Sequence, residues 1–108
     1  MSNDRDAHGA SSVQHTVVFR LIHPRGSVAE ETFLRDARAA LTSIPGVEDF
    51  AIDRQISAKS SADFRFSMRF AGQAAYDAYN VHPTHVAFVA SRWDTEVASF
   101  QEYDFRAL

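Results

Sequence analysis

The chain predicts a single α+β domain ordered β-α-β-β-α-β, on three observations: apolar residues alternate with period two in four segments, they recur at helical spacing in two others, and turn or capping residues separate these segments. A length of 108 residues suits one hydrophobic core and leaves no room for a second domain. Hydrophobic residues make up 45% of the chain, with 9 Phe, 3 Tyr and 1 Trp, which is a globular composition, and the longest apolar runs are too short to span a bilayer. Eleven basic against 14 acidic residues leave a formal charge of −3 and no basic run suited to a phosphate backbone, so neither nucleic acid nor membrane is an expected partner. The absence of Cys removes disulfides, thiol nucleophiles and Cys-ligated metals, and fits a reducing, cytoplasmic location. Residues 1–12 read as a flexible polar tail with no apolar stretch resembling a signal peptide, and residues 13–108 as the folded domain.

The first strand is expected from Val13 to Ile22, where His15, Val17, Phe19 and Leu21 share one side and Thr16, Val18, Arg20 and Ile22 the other. His23-Pro24-Arg25-Gly26 is a turn, and Ser27 with Glu30 has the spacing of a capping box. A helix to about Thr42 follows, with Phe33, Leu34, Ala37, Leu41 and then Ile44 on its apolar stripe, and Pro45-Gly46 ends it. The second strand is expected over Val47 to Ile56, and Ser57 to Ala62 is a polar loop. Phe64, Phe66, Met68 and Phe70 alternate with Arg65, Ser67 and Arg69, the clearest strand in the chain. Gln73 to about Asn80 is helical, His82-Pro83 restarts the helix because Pro is tolerated at its first position, and Phe88, Val89, Trp93 and Val97 form its buried stripe. Phe100 to Phe105 alternates again as the fourth strand.

This order is a ferredoxin-like sandwich. Both sides of the first strand read as substantially apolar, more than two helices on one face of a sheet can cover. Two bare faces are therefore expected to meet in a C2 homodimer, a dimeric α/β barrel in which each subunit keeps a cleft between its sheet and its helices.

The residues able to carry chemistry are Tyr79, His82 and His85, with His15 on the first strand. His85 falls in the first turn of a helix, where the positive end of the dipole disfavours imidazolium and leaves a neutral ring suited to general-base work. Tyr79 offers a hydroxyl to a carbonyl oxygen as it becomes an enolate. Each also has a plainer reading: His82 before Pro83 as a helix cap, His85 as a core histidine bonded to a carbonyl, Tyr79 as helix packing. Without carboxylates or Cys in the motif, the histidines predict no metal site.

Three stretches, H-T-V-V-F-R-L at 15 to 21, I-P-G-V at 44 to 47 and Y-N-V-H-P-T-H-V-A-F-V at 79 to 89, resemble the stress-responsive dimeric α/β-barrel family, Dabb. The likeness runs from His15 to Phe105, so the folded domain is expected to be a Dabb domain. In a cofactor-free plant polyketide cyclase of that family, a histidine matching His85 is the base and a tyrosine matching Tyr79 assists, with histidines also at the positions of His82 and His15. The resemblance therefore implies a pocket for a small, partly apolar carbonyl or aromatic compound and a cofactor-independent cyclase or isomerase reaction, with His85 and Tyr79 catalytic. His15, His82, Val17, Phe19, Phe33 and Phe88 are the expected substrate-binding residues. One departure is Ala37, where the cyclase has a bulky aromatic, so the pocket shape should differ. The alternatives are a non-catalytic stress-related small-molecule-binding or scaffold dimer, and a cofactor-free monooxygenase of the antibiotic-biosynthesis type.

Overall fold

A computed structural model describes residues 11–108, and the expected tail lies largely outside them. Ser12, assigned to that tail, is only 6% exposed and so belongs to the fold. The strands are β1 (Val13–Leu21), β2 (Glu48–Arg54), β3 (Phe64–Phe70) and β4 (Val97–Phe105), and they form one antiparallel sheet in the order β2-β3-β1-β4. With helices packed on the sheet this is the ferredoxin-like fold.

Helix α1 (Val28–Thr42) begins where the sequence places it: the Glu30 N–H donates to Ser27 Oγ at 3.2 Å. The reciprocal arm is shifted by one residue, since Glu30 Oε1 accepts from Gly26 N–H at 3.0 Å rather than from the cap itself. After the helix, Gly46 adopts φ 91°, a left-handed conformation that favours glycine, with Ala75 close to where a Cβ would stand. Strand β2 is shorter than expected. Asp49 has φ 52° and the register with β3 shifts between Glu48 and Ala51, while Ile56 is 91% exposed beyond the strand end.

The second helical region is broken. It consists of α2 (Gln73–Val81), α3 (Pro83–Phe88), a π-helical turn (Val89–Trp93) and a short α4 (Asp94–Glu96). The Ser91 hydroxyl donates to the Ala87 carbonyl at 2.6 Å, competing for an acceptor that a regular α-turn gives to backbone N–H, which favours the wider turn. Val97, expected on the helical stripe, already begins β4.

The core lies between the helices and the sheet side carrying Val17, Phe19, Phe64, Phe66, Met68 and Phe70. Phe33 of α1 is fully buried there, 6.2 Å from the Phe19 ring and 6.3 Å from the Trp93 ring. The opposite side differs from the expectation of two oily faces. From β1 it presents Gln14, Thr16, Val18 and Arg20, and their register partners are Arg65, Ser67 and Arg69 on β3 and Ser99, Gln101, Tyr103 and Phe105 on β4. Ion pairs cross it, Arg65 to Asp53 at 2.8 Å and Arg69 to Glu48 at 3.3 Å. Ile22, counted as part of that apolar flank, lies past the end of β1 and is 61% exposed. The apolar part of the bare face thus contracts to Val18, Ala51, Tyr103 and Phe105, and strand alternation read on β1 alone overstated it.

Candidate functional site

Strand β4 is one of the two edges of the sheet, and its extensive packing is against β1. Among the described residues the helical layer covers its inward side only in part: Phe100, which pairs with buried Phe19, meets Trp93 but is 54% exposed. This gap opens a cavity of about 250 Å³ between the sheet and the α2–α3–π segment. Its walls are mostly apolar, with Val17, Phe66, Met68, Phe88, Trp93 and Phe100 among them, and its polar members are His15, Tyr79, His85, Asp94 and Glu102. A concave, apolar space with a few convergent polar groups is the usual form of a small-molecule site.

Strand alternation turns His15 inward, where it is 4% exposed. Asp104 stands opposite it on β4, and His15 Nδ1 donates to Asp104 Oδ1 at 2.7 Å. The Tyr76 hydroxyl, from α2, donates to Asp104 Oδ2 at 3.0 Å and lies 3.1 Å from His15 Nδ1. Because a carboxylate only accepts, Nδ1 of His15 carries a proton and is engaged by Asp104. Neither Tyr76 nor Asp104 is singled out by the sequence motif. They stand 61 and 89 residues from His15, and only the β1–β4 register and the packing of α2 bring the three together.

Tyr79 and Tyr76 lie on the same α2 helix, three residues apart, and Tyr79 is buried between the histidines: its ring centre is 4.4 Å from that of His85 and 6.3 Å from that of His15. Its hydroxyl makes no hydrogen bond among the described residues. Burial raises the Tyr79 pKa, with Tyr76 and Glu102 adding to the rise, so the hydroxyl stays protonated as a donor. Burial followed by the Asp104 bond raises Tyr76 likewise.

His85 occupies the first turn of α3 and donates from Nδ1 to the Asn80 carbonyl at 3.1 Å, which leaves Nε2 as the acceptor. Its pKa is lowered, first by burial and then by the charge of His15, while the Asn80 bond and Glu102 oppose the shift. The shift runs in the direction expected from the helix dipole, but its first cause is removal from water.

Of the other expected ligand-binding residues, Val17 and Phe88 line the cavity with His15. His82, Phe19 and Phe33 do not. His82 is the N-cap of α3, its Nδ1 accepting from Thr84 N–H at 3.1 Å, and Phe19 and Phe33 are sealed in the core beneath the cavity. Among the described residues no three His, Cys, Asp or Glu side chains converge as a metal-binding group. No described helix is long and apolar enough to cross a membrane.

A family model described as the Stress responsive A/B Barrel Domain matches residues 13–107. No curated protein sequence matches the chain. Among solved structures, a Dabb family protein with a ferredoxin-like fold from Mesorhizobium loti is 51% identical, with a TM-score of 0.90 over 91% of this chain and 98% of that one. A dimeric ferredoxin-like protein of unknown function from Thermobifida fusca is 22% identical, with a TM-score of 0.72 over 94% of this chain and 93% of that one. A hydroxynitrile lyase from Passiflora edulis is 11% identical, with a TM-score of 0.74 over 89% of this chain and 93% of that one, a likeness of fold alone.

Proposed function

The chain belongs to the stress responsive A/B barrel domain family, and from that premise we propose that it is a homodimer whose cleft binds a small, partly apolar carbonyl or aromatic compound and moves a proton on it, as a cofactor-independent cyclase or isomerase. The observation that supports this reading is the gathering of two imidazoles, each with Nδ1 engaged, around the ring of a buried tyrosine in an apolar cleft, with Nε2 of His85 left to accept. A lowered pKa keeps His85 neutral at physiological pH and ready to take a proton.

In the proposed step, His85 Nε2 removes a proton from the carbon beside a carbonyl, and the electron pair moves into an enolate whose oxygen accepts from the Tyr79 hydroxyl. The enolate carbon then closes a ring on a second carbonyl, or is reprotonated elsewhere, and His85 returns the proton. His15, oriented by Asp104 and Tyr76 in the manner of a carboxylate-held imidazole, positions the substrate from the opposite wall. The cavity suits a molecule of about one ring. The dimer reading draws on the Thermobifida fusca relative's description as dimeric and on Tyr103 and Phe105, 46% and 56% exposed beside Val18 on the bare sheet face.

The test is to titrate and assay β-polyketide, lactone and phenolic compounds against the wild type, His85→Ala and Tyr79→Phe. His85→Ala is expected to keep binding and lose turnover by roughly 10²- to 10⁴-fold, the usual worth of a general base. Equal binding without turnover in all three proteins removes the catalytic reading and leaves a binding protein. Light scattering at micromolar concentration tests the assembly: a clean monomer overturns it, and Val18→Glu on the bare face should weaken it.

A further inference from the structure

The charge at the mouth of the cleft carries a second conclusion, which rests on the ligand-binding reading above. Strand β4 turns Phe100, Glu102 and Asp104 toward the helix side, opposite Phe19, Val17 and His15. Asp104 is occupied, bonded to His15 and Tyr76. Glu102 is exposed, lines the cavity and makes no ion pair among the described residues, and the same holds for Asp94 across the opening.

Among the described residues neither Lys nor Arg lines the cavity. Of the nearest cations in sequence, Arg92, two residues from Asp94, is held by Asp36 at 2.8 Å and by Glu96 at 2.5 Å, and Arg106, four residues from Glu102, donates to Gln73 Oε1 at 3.2 Å outside the cavity lining. The field of Glu102 reaches inward: it helps raise the pKa of Tyr76 and of Tyr79 and opposes the fall at His85. Apolar walls such as Phe100 and Trp93 reduce the screening that water would otherwise supply.

We infer that Glu102, assisted by Asp94, sets the charge specificity of the cleft, admitting neutral or cationic ligands and rejecting carboxylates. The acid form of a compound should then bind more weakly than its ester. Two unit charges about 6 Å apart at a partly wet site correspond to a ratio of roughly three- to thirtyfold at low salt.

The probes are methyl 2,4-dihydroxybenzoate and 2,4-dihydroxybenzoate, titrated calorimetrically into the full chain as wild type, Glu102→Gln and the Asp94→Asn/Glu102→Gln double variant. The expected result is an ester-to-acid affinity ratio in the stated range for the wild type, falling toward one in the variants and shrinking as ionic strength rises. Measurable binding of both probes with a ratio near one in the wild type, or a ratio unchanged in the double variant, overturns the charge filter and leaves the ligand-binding reading standing. No heat with the neutral ester in the wild type overturns the ligand-binding reading itself, and the filter with it.

Discussion

Phe19 on β1 and Phe100 on β4 face each other across one antiparallel ladder and turn toward the same side of the sheet, yet the first is fully buried and the second is 54% exposed. The strands have the same length and both carry aromatic residues. The difference is helix coverage: β1 lies under the helices, and β4 extends beyond them. Pairing in the sheet satisfies the backbone of both strands, but only a second layer removes side chains from water. The proposed chemistry sits on the line between the two regimes, where buried His15 meets half-exposed Asp104.

The largest effect that would break or sharpen this contrast is Phe19→Ala, which empties a fully packed position and should cost about 3–5 kcal/mol in urea denaturation. Asp104→Asn comes next: it keeps the shape but weakens the charge-assisted bond to a buried imidazole, for an expected loss of about 1–3 kcal/mol. It should also reduce turnover while leaving the sheet intact by circular dichroism. Phe100→Ala, at the register partner of Phe19, should cost less than about 1 kcal/mol, because half of its ring is already in water and its main contact is the edge of Trp93 at 5.5 Å. A cost as large as that of Phe19→Ala would mean that β4 is covered in solution, by a second copy of the chain.

The smallest effect is the pH dependence from His85. Its folded pKa is depressed below the unfolded value of about 6.5, so the unfolded chain takes up a proton first as the pH falls. The associated stability is fully present above about pH 6.5 and is lost as the pH drops from there through the folded pKa. Urea midpoints for the wild type should fall over that window more than those of His85→Gln.

Local signals made β3 and α1 legible. Alternation from Phe64 to Phe70 and the Ser27 cap each depend on neighbours within a few residues, and both stand as expected. Tyr79 and His85 were visible for a similar reason, since one short motif spans them. The partners of His15 were not: Tyr76 is one turn from Tyr79 but carries no mark of its own, and Asp104 becomes relevant only through a register that no local pattern encodes. His82 shows the reverse, a motif histidine whose ring is used by the backbone of the turn that it opens. The polar character of the bare face was written in Arg65 and Arg69, but needed the neighbouring strands to be set side by side before it outweighed Val18.

The π-helical turn has one practical result. It leaves the single tryptophan of the chain, Trp93, on the cavity wall and against the rings of Phe19, Phe66 and Phe100. Indole emission from this protein therefore comes from one place, so a compound entering the hollow should change its colour or intensity with no label attached.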